Sequence, residues 1–141
     1  MQDIKNLINN WSDKSDIIIQ NNKDFYAPSS FWKLSKKEIK SQTNGCGPEG
    51  WGWLVPDCFH PYFFCISNIC TIHDYMYNKG KNLKDKRIAD LIFRKNFEIK
   101  LSKGKKWKWL KILRKRRFQV YFKVVKNKSF DLYCDMDSKS C

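Results

Sequence analysis

Three ionisable side chains in the middle of the chain have types and spacing suited to hydrolysis: His73, its neighbour Asp74, and Asp90. An imidazole can take a proton from water near neutral pH. A carboxylate behind the imidazole fixes its tautomer and stabilises the imidazolium that forms. We therefore expect His73 to act as a general base with Asp90 as its partner. Tyr77, one turn beyond His73, is placed to donate its hydroxyl to the same carboxylate.

Asp74 and a glycine-rich loop upstream indicate a cation site. The loop reads Asn44-Gly45-Cys46-Gly47-Pro48-Glu49-Gly50-Trp51-Gly52, and glycines let backbone carbonyls converge on a hard cation. Asp74 lies about 100° round a helix from His73, so the two side chains face different neighbours. We expect Asp74 to supply the charged oxygen ligand of a weak calcium site, with a dissociation constant of about 10⁻⁴ to 10⁻³ M. The ion would polarise an ester carbonyl.

Two packed helices must bring these groups together. Apolar residues recur at i, i+3 and i+4 from Tyr62 to Tyr77, which predicts a helix that ends at Gly80. A second helix is predicted from about residue 84 to residue 101. Asp90 lies on the aromatic stripe of this second helix, where a buried carboxylate needs a partner.

Each residue taken alone also has a simpler interpretation. A histidine on an apolar stripe is more often a hydrogen-bonded core residue than a catalytic one. Asp74 alone is typical of a solvated surface acid, and Asp90 could pair with Arg87 or Arg94. Gly-Pro-Glu-Gly is also ordinary turn sequence. Their occurrence together and in this order is what favours a hydrolase.

At 141 residues the chain is expected to form one domain. In its N-terminal part Ile4, Ile8 and Trp11 are at helical spacing, whereas the charged stretch 36–40 interrupts any regular pattern. Residues 44–61 are rich in Gly and Pro and are predicted to be loop. We divide the chain into a helical or irregular N-terminal segment (1–43), a catalytic core (44–101) and a basic, aromatic C-terminal segment (102–141).

The positive charge is concentrated near the C-terminus. Residues 100–128 hold 13 Lys/Arg and no acid, in a chain with a net charge of +14. Apolar residues from Trp107 to Lys128 fit a strand or a helix, and the lack of an Asn-Gly or Asp-Gly hairpin signal favours a third helix. Cations beside Trp107 and Trp109 are suited to anionic lipid headgroups. Nucleic-acid binding by residues 103–128 is the rival interpretation, and a solvated helix face is the simplest one.

The chain has six cysteines. An even number in a small protein predicts up to three disulfides and a secreted or extracytoplasmic location, although Cys58 and Cys65 could instead be free and buried. The N-terminal residues show neither a signal-peptide pattern nor a transmembrane span. These two indications conflict. We expect the protein to be a monomer.

The same residues resemble motifs of the secreted phospholipase A2 superfamily. The start of the glycine-rich loop resembles the calcium loop of divergent branches that begin Asn-Gly-Cys-Gly. The resemblance covers residues 44–97, and the loop, dyad and second acid occur in the family's order. Its motifs are Cys-x-x-His-Asp-x-x-Tyr (Cys70, His73, Asp74, Tyr77), Asp-x-x-Phe (Asp90, Phe93) and the loop start (Asn44, Gly45, Cys46, Gly47).

This resemblance implies a mainly α fold with two antiparallel, disulfide-linked core helices, a calcium loop and a further C-terminal helix. The implied activity is calcium-dependent hydrolysis of the sn-2 ester of membrane phospholipids. The alternative is a non-catalytic membrane-binding or nucleic-acid-binding module on the same fold. The implied roles are general base (His73), its partners (Asp90, Tyr77), oxyanion donor (the Gly47 N–H) and Ca²⁺ ligands (Asp74 and carbonyls of Gly45, Gly47, Glu49).

The chain departs from the family pattern in two places, at one pair of cysteine positions and in the calcium loop. Met76 and Ala89 stand where many relatives have cysteines joined as a disulfide. Both partners are missing together, as expected for the loss of one bridge. Cys46 and Cys70 match another family bridge, and the resemblance therefore predicts a Cys46–Cys70 disulfide. The loop continues Pro48-Glu49-Gly50 instead of the usual glycine pair, which affects the position of the third carbonyl ligand.

Overall fold

The computed structural model describes residues 4–22, 24–43, 58–59, 64–65, 67–103 and 108–134. This part of the chain is mainly helical, which confirms the expected fold class at that level. Five helices and two short hairpins occur in it. In chain order they are α1 (Ile4–Asn9), β1 (Ile18–Gln20), β2 (Tyr26–Pro28), a 3-10 turn (Phe31–Lys33), α2 (Lys36–Gln42), β3 (Cys58–Phe59), β4 (Phe64–Cys65), α3 (Ser67–Lys79), α4 (Leu83–Lys103) and α5 (Lys108–Cys134).

Helices α3 and α4 form an antiparallel pair because only three residues connect them. Asn82 caps α4, since its Oδ1 accepts the backbone N–H groups of Lys84 at 2.9 Å and Asp85 at 3.1 Å. Met76 and Ala89 are fully buried in the same apolar cluster. The expectation that a disulfide links these two helices is wrong, because α4 contains no cysteine. Apolar packing and hydrogen bonds to Asp90 join them instead.

The start of the first core helix was predicted too early. The structure begins α3 at Ser67, and the preceding Phe64–Cys65 is a strand that pairs antiparallel with Cys58–Phe59. The apolar residues in this short stretch are spaced in a way that fits a helix or a strand, so the spacing alone could not decide between them. Phenylalanine favours strands, which agrees with the structure. The predicted loop 44–61 therefore contains one short strand. Cys70 and Cys134 are each part of a disulfide. Cys46 lies outside the described residues, so the Cys46–Cys70 pairing stays a prediction.

The other two predicted helices are confirmed. Helix α4 exceeds its predicted range by only a few residues. Helix α5 confirms the choice of helix over strand and continues past Lys128 to Cys134. Within the described residues no helix is long and apolar enough to cross a bilayer.

The charged stretch 36–40 lies in α2 (Lys36–Gln42), so the prediction that it interrupts regular structure is wrong. Ser35 and Glu38 form a capping box, in which the Glu38 N–H donates to Ser35 Oγ at 3.3 Å and the Ser35 N–H donates to Glu38 Oε2 at 2.8 Å. The Ser35 hydroxyl also donates to Glu38 Oε2 at 2.6 Å, and the two hydrogen bonds that the carboxylate accepts from Ser35 lower the pKa of Glu38. Ser35 followed three residues later by Glu38 is the sequence pattern of a capping box, but the run of charged residues was interpreted as a break in regular structure.

The N-terminal segment packs onto α3 and α4 as part of one core. Trp11, Ile18 and Phe31 are buried in the same cluster as residues of both helices. Asn96, fully buried on α4, pairs with the backbone of Tyr26: it accepts the N–H at 2.7 Å and donates to the carbonyl at 2.8 Å. The β1–β2 hairpin is thereby joined to α4.

Helix α5 runs antiparallel to α4. Phe118 stacks on Phe97 with ring centroids 3.6 Å apart, and Phe122 stacks on Phe93 at 6.3 Å. At the other end of α5 the Tyr133 hydroxyl donates to the Asn82 carbonyl at 2.8 Å. The aromatic contacts place α5 along the side of α4 that also carries Asp90 and Phe93.

Candidate active site

His73 and Asp90 meet between α3 and α4, where both residues are 6% exposed. His73 Nε2 lies 2.9 Å from Asp90 Oδ1. Because an ionised carboxylate only accepts hydrogen bonds, Nε2 carries the proton and donates it to Asp90. The other ring nitrogen, Nδ1, is then the basic one. No further hydrogen bond to this ring occurs within the described part of the chain.

Tyr77 completes one side of this pair. Its hydroxyl donates to Asp90 Oδ1 at 2.6 Å, which is the hydrogen bond that the helical spacing predicts. Two aromatic rings contact the His73 ring. The centroid of Tyr77 lies 4.2 Å from that of His73, and the centroid of Phe93 lies 4.8 Å from it. The imidazole is therefore fixed by one hydrogen bond and two aromatic contacts.

Lys86 belongs to the same site and was not predicted from the sequence. Its Nζ lies 2.9 Å from Asp90 Oδ2, and the Lys86 side chain is only 5% exposed. The ammonium also lies 5.6 Å from the centroid of the Tyr77 ring. Arg87 and Arg94, the partners considered for Asp90, are both exposed. The signal that could have found Lys86 is its i, i+4 spacing from Asp90 on the same helix.

These contacts determine the charge of Asp90. Burial raises the pKa of its carboxyl, but the hydrogen bond and charge of His73 and the hydrogen bonds from Tyr77 and Lys86 more than offset that effect. The pKa of Asp90 therefore lies below its ordinary value. Asp90 is an anion at neutral pH, as a partner for an imidazolium must be.

The expected calcium ligands lie mostly outside the described residues. Gly45, Gly47 and Glu49 are all outside, and so is the Gly47 N–H expected to stabilise an oxyanion. Asp74 is half-buried on α3, directly after His73. The described ranges contain no group of three or more His, Cys, Asp or Glu side chains able to hold a metal. A carboxylate such as Asp74 suits a hard cation only together with further oxygen ligands, such as loop carbonyls.

Helix α5 presents an exposed face that mixes apolar and basic side chains. Ile112, Val120 and Phe130 are 55%, 68% and 46% exposed. At about 100° per residue these positions fall within one third of the helix circumference, together with other exposed residues. We call this the α5 outer face; its members are Ile112, Leu113, Arg116, Val120, Lys123 and Phe130.

The structure thus brings together His73, Asp90 and Tyr77 and adds Lys86 to them. Comparisons with protein-family models, with curated proteins and with solved structures find no match for this chain. Inferences about its function therefore start from the geometry of its own residues.

Proposed function

We propose that the protein is a calcium-dependent, phospholipase A2-like hydrolase that cleaves the sn-2 ester of membrane phospholipids. One observation carries this proposal: the buried His73 is hydrogen-bonded through Nε2 to an ionised Asp90, with a distance of 2.9 Å. This arrangement leaves Nδ1 as the basic nitrogen. A core histidine needs only a hydrogen-bond partner, whereas here Tyr77 and Lys86 also hold the carboxylate behind the imidazole in its ionised form, which suits a general base.

In the proposed reaction, Nδ1 of His73 takes a proton from water. The hydroxide oxygen attacks the ester carbonyl carbon, and the bond from that carbon to the glycerol oxygen breaks. The imidazolium then returns its proton to the leaving oxygen, which gives a fatty acid and a lysophospholipid. Asp90 stays ionised throughout, holds the tautomer of His73 and stabilises its positive charge. Tyr77 holds the carboxylate in place.

Asp74 and the carbonyls of Gly45, Gly47 and Glu49 are the proposed calcium ligands. A bound calcium ion supplies Lewis-acid polarisation of the ester carbonyl. The Gly47 N–H is the proposed donor to the oxyanion. These assignments follow from the resemblance of the loop and of the Cys70–Tyr77 motif to the phospholipase A2 superfamily.

The α5 outer face is the proposed contact with an anionic phospholipid surface. Each Lys or Arg near such a surface contributes about 1 kcal/mol of attraction. Exposed Ile112, Val120 and Phe130 supply apolar side chains that can enter the headgroup region. A secreted or extracytoplasmic location and a monomeric state remain predictions.

The test is fatty-acid release from anionic phospholipid vesicles in millimolar calcium and then in excess chelator. We expect calcium-dependent release of the sn-2 chain only. His73→Gln should abolish release, because Gln cannot accept a proton from water. Lys84→Gln, which changes an exposed residue of α4, is the control and should retain it. If folded wild-type protein releases no fatty acid in either condition, the hydrolase proposal is wrong.

A second candidate is a non-catalytic, basic membrane-binding module, which the exposed apolar residues of the α5 outer face favour. A nucleic-acid-binding protein, the rival interpretation of residues 103–128, would use the same cations but would not need the exposed aliphatic side chains of Ile112 and Val120. Ile112→Ser and Val120→Ser would weaken vesicle binding and spare nucleic-acid binding. Lys123→Glu would weaken both.

A further inference from the structure

A groove of about 380 Å³ lies between α4 and α5. Its size falls within the range of small-molecule sites, about 300 to 1,000 Å³. The floor is apolar and consists of Phe97, Phe118, Leu101 and Phe122. Phe97 and Phe118 are 2% and 5% exposed, and the other two are half-buried. The floor is therefore built into the core and is not a chance cluster of surface side chains.

The rim of the groove is basic. Arg94, Lys111 and Lys115 line it together with one acid, Glu98. Glu98 is paired with Arg94, since Arg94 Nε lies 3.5 Å from Glu98 Oε1. Among the described residues, Lys111 and Lys115 form no ion pair. Two cations on consecutive turns of α5 thus stand over an aromatic floor.

Phe93 connects the groove to the candidate active site. Phe93 contacts the His73 ring at 4.8 Å and Phe118 at 5.5 Å, and it stacks on Phe122 at 6.3 Å. The aromatic side chains under the groove are therefore continuous with those around the imidazole. The groove itself contains neither His73 nor Asp90.

We infer that the groove between α4 and α5 binds a long-chain carboxylate, that is, a fatty-acid anion. Its alkyl chain lies on the floor formed by Phe97, Leu101, Phe118 and Phe122, and its carboxylate is held at Lys111 and Lys115. The apolar floor selects an alkyl chain, and the two cations select a negative head group. The volume suits one chain better than the two of a phospholipid. This site is separate from the hydrolytic one, and its occupation can be measured whether or not the protein hydrolyses lipids.

The experiment is isothermal titration of the full-length protein with octanoate, decanoate and dodecanoate below their micellar concentrations. We expect one site per chain and an affinity that rises about two- to four-fold per methylene, because each added group leaves water. Decanoate should bind at least about ten-fold more tightly than decanol or decyltrimethylammonium, since a carboxylate paired with a cation gains over a neutral or positive head.

Variants locate the site. The pair Lys111→Gln/Lys115→Gln should weaken decanoate binding about ten-fold and leave decanol binding unchanged. The matched control, Arg116→Gln/Lys123→Gln, removes the same charge from the α5 outer face and should leave decanoate binding unchanged. Gln119→Trp, at an exposed position on the rim, should obstruct the groove and weaken the binding of every chain length.

Several outcomes would overturn the inference. Equal loss of decanoate binding in the two charge pairs would show a general charge effect. Equal affinity for decanoate and decyltrimethylammonium would remove the role of the cations. Normal binding by Gln119→Trp would place the ligand elsewhere. The titration and the fatty-acid release assay test separate proposals. A failed titration would not contradict hydrolysis, and an absence of fatty-acid release would not contradict decanoate binding.

Discussion

Lys86 and Asp90 form a buried ion pair one helical turn apart on α4, with Nζ and Oδ2 separated by 2.9 Å and side chains 5% and 8% exposed. Both oxygens of Asp90 therefore have donors, since His73 and Tyr77 occupy Oδ1. With the imidazole in its uncharged form, the charges of Asp90 and Lys86 cancel. A buried carboxylate with a single imidazole partner would carry a net negative charge in a water-poor site, which is costly.

We expect Lys86→Met to lower the free energy of unfolding by about 3–5 kcal/mol, because it leaves a buried carboxylate without its cation. Asp90→Asn should have a similar effect, since it leaves the buried ammonium unpaired. The double variant Lys86→Met/Asp90→Asn removes both charges. Its loss in free energy of unfolding should be smaller than the sum of the losses in the two single variants. Urea unfolding of the four proteins measures this cycle.

Lys84→Met is the matched control for Lys86, because Lys84 is an exposed lysine on the same helix. Its effect on the free energy of unfolding should stay within about 0.5 kcal/mol. Equal effects of the two lysine substitutions, or full additivity in the Lys86/Asp90 cycle, would mean that the ion pair contributes nothing in solution.

The hydroxyl of Tyr77 should matter to turnover as well as to stability. Tyr77→Phe removes a hydrogen bond to a charged carboxylate, which is worth about 1.5–3 kcal/mol of folding free energy. Asp90 then holds the imidazole less firmly, and we expect kcat on a monomeric short-chain phospholipid to fall about ten-fold, or about 1.4 kcal/mol of barrier. The loss should be smaller than in His73→Gln.

Tyr75→Phe provides the comparison for Tyr77. The Tyr75 hydroxyl is also hydrogen-bonded, but to Ser30 Oγ at 2.6 Å, away from the dyad. Its removal should cost about 0.5–1.5 kcal/mol of stability and leave kcat unchanged. If both tyrosine variants reduce kcat in proportion to their lost stability, Tyr77 has no positioning role.

The sequence predicted the two core helices because they have long, periodic apolar stripes. Period 3.6 placed His73 and Tyr77 on one face and Asp90 on the facing stripe, and the three are hydrogen-bonded as expected. The same reasoning could place a residue on a face but not choose among neighbouring cations. Arg87 and Arg94 were considered, and Lys86, at i−4 on α4, is the residue that faces Asp90.

The parts that were missed are short or depend on distant contacts. Strands β3 and β4 have two residues each, too few for a period to show. The β1–β2 hairpin is fixed by Asn96, seventy residues away from Tyr26 in the chain, and no local pattern reveals such a pairing. Helix α2 has a readable capping box, but its lack of buried residues left no apolar stripe.

Acid should destabilise the protein partly through Asp90. Its pKa in the folded state lies below the ordinary value of 3.8, so its ionised form stabilises the fold above about pH 4. This contribution is lost as the pH falls from about 4 through the folded-state pKa. We therefore expect the free energy of unfolding to decrease below pH 4 in the wild-type protein.

The double variant Lys86→Met/Asp90→Asn isolates this effect. Its free energy of unfolding, measured with urea, should decrease less between about pH 5 and pH 2.5 than that of the wild-type protein. The exposed carboxyls of Asp13 and Glu38, whose pKa values are also lowered, are present in both proteins and cancel in the comparison. Identical slopes would mean that Asp90 titrates alike in the folded and unfolded states.

The close approach of α5 to the α3–α4 turn at Gly80 gives a further prediction. A Cβ at Gly80 would lie 2.7 Å from the Tyr133 hydroxyl and 3.0 Å from Asp85 Cβ. Tyr133 is fully buried and donates to the Asn82 carbonyl, so its ring cannot move without losing that bond. We expect Gly80→Ala to destabilise the protein by about 1–3 kcal/mol, as overpacking does.

Tyr133→Phe should relieve part of this clash because it removes the oxygen that the new methyl group meets. Alone it should cost about 0.5–1.5 kcal/mol, a limited loss because the Asn82 carbonyl still accepts the Lys86 N–H at 3.1 Å. We expect the double variant Gly80→Ala/Tyr133→Phe to lose less stability than the two single variants lose in sum. Urea unfolding should show a difference of at least about 0.5 kcal/mol. Gly80→Ala with Tyr75→Phe, which removes a hydroxyl bonded elsewhere, should be additive. Equal additivity in both pairs would mean that the C-terminal end of α5 does not rest on Gly80 in solution.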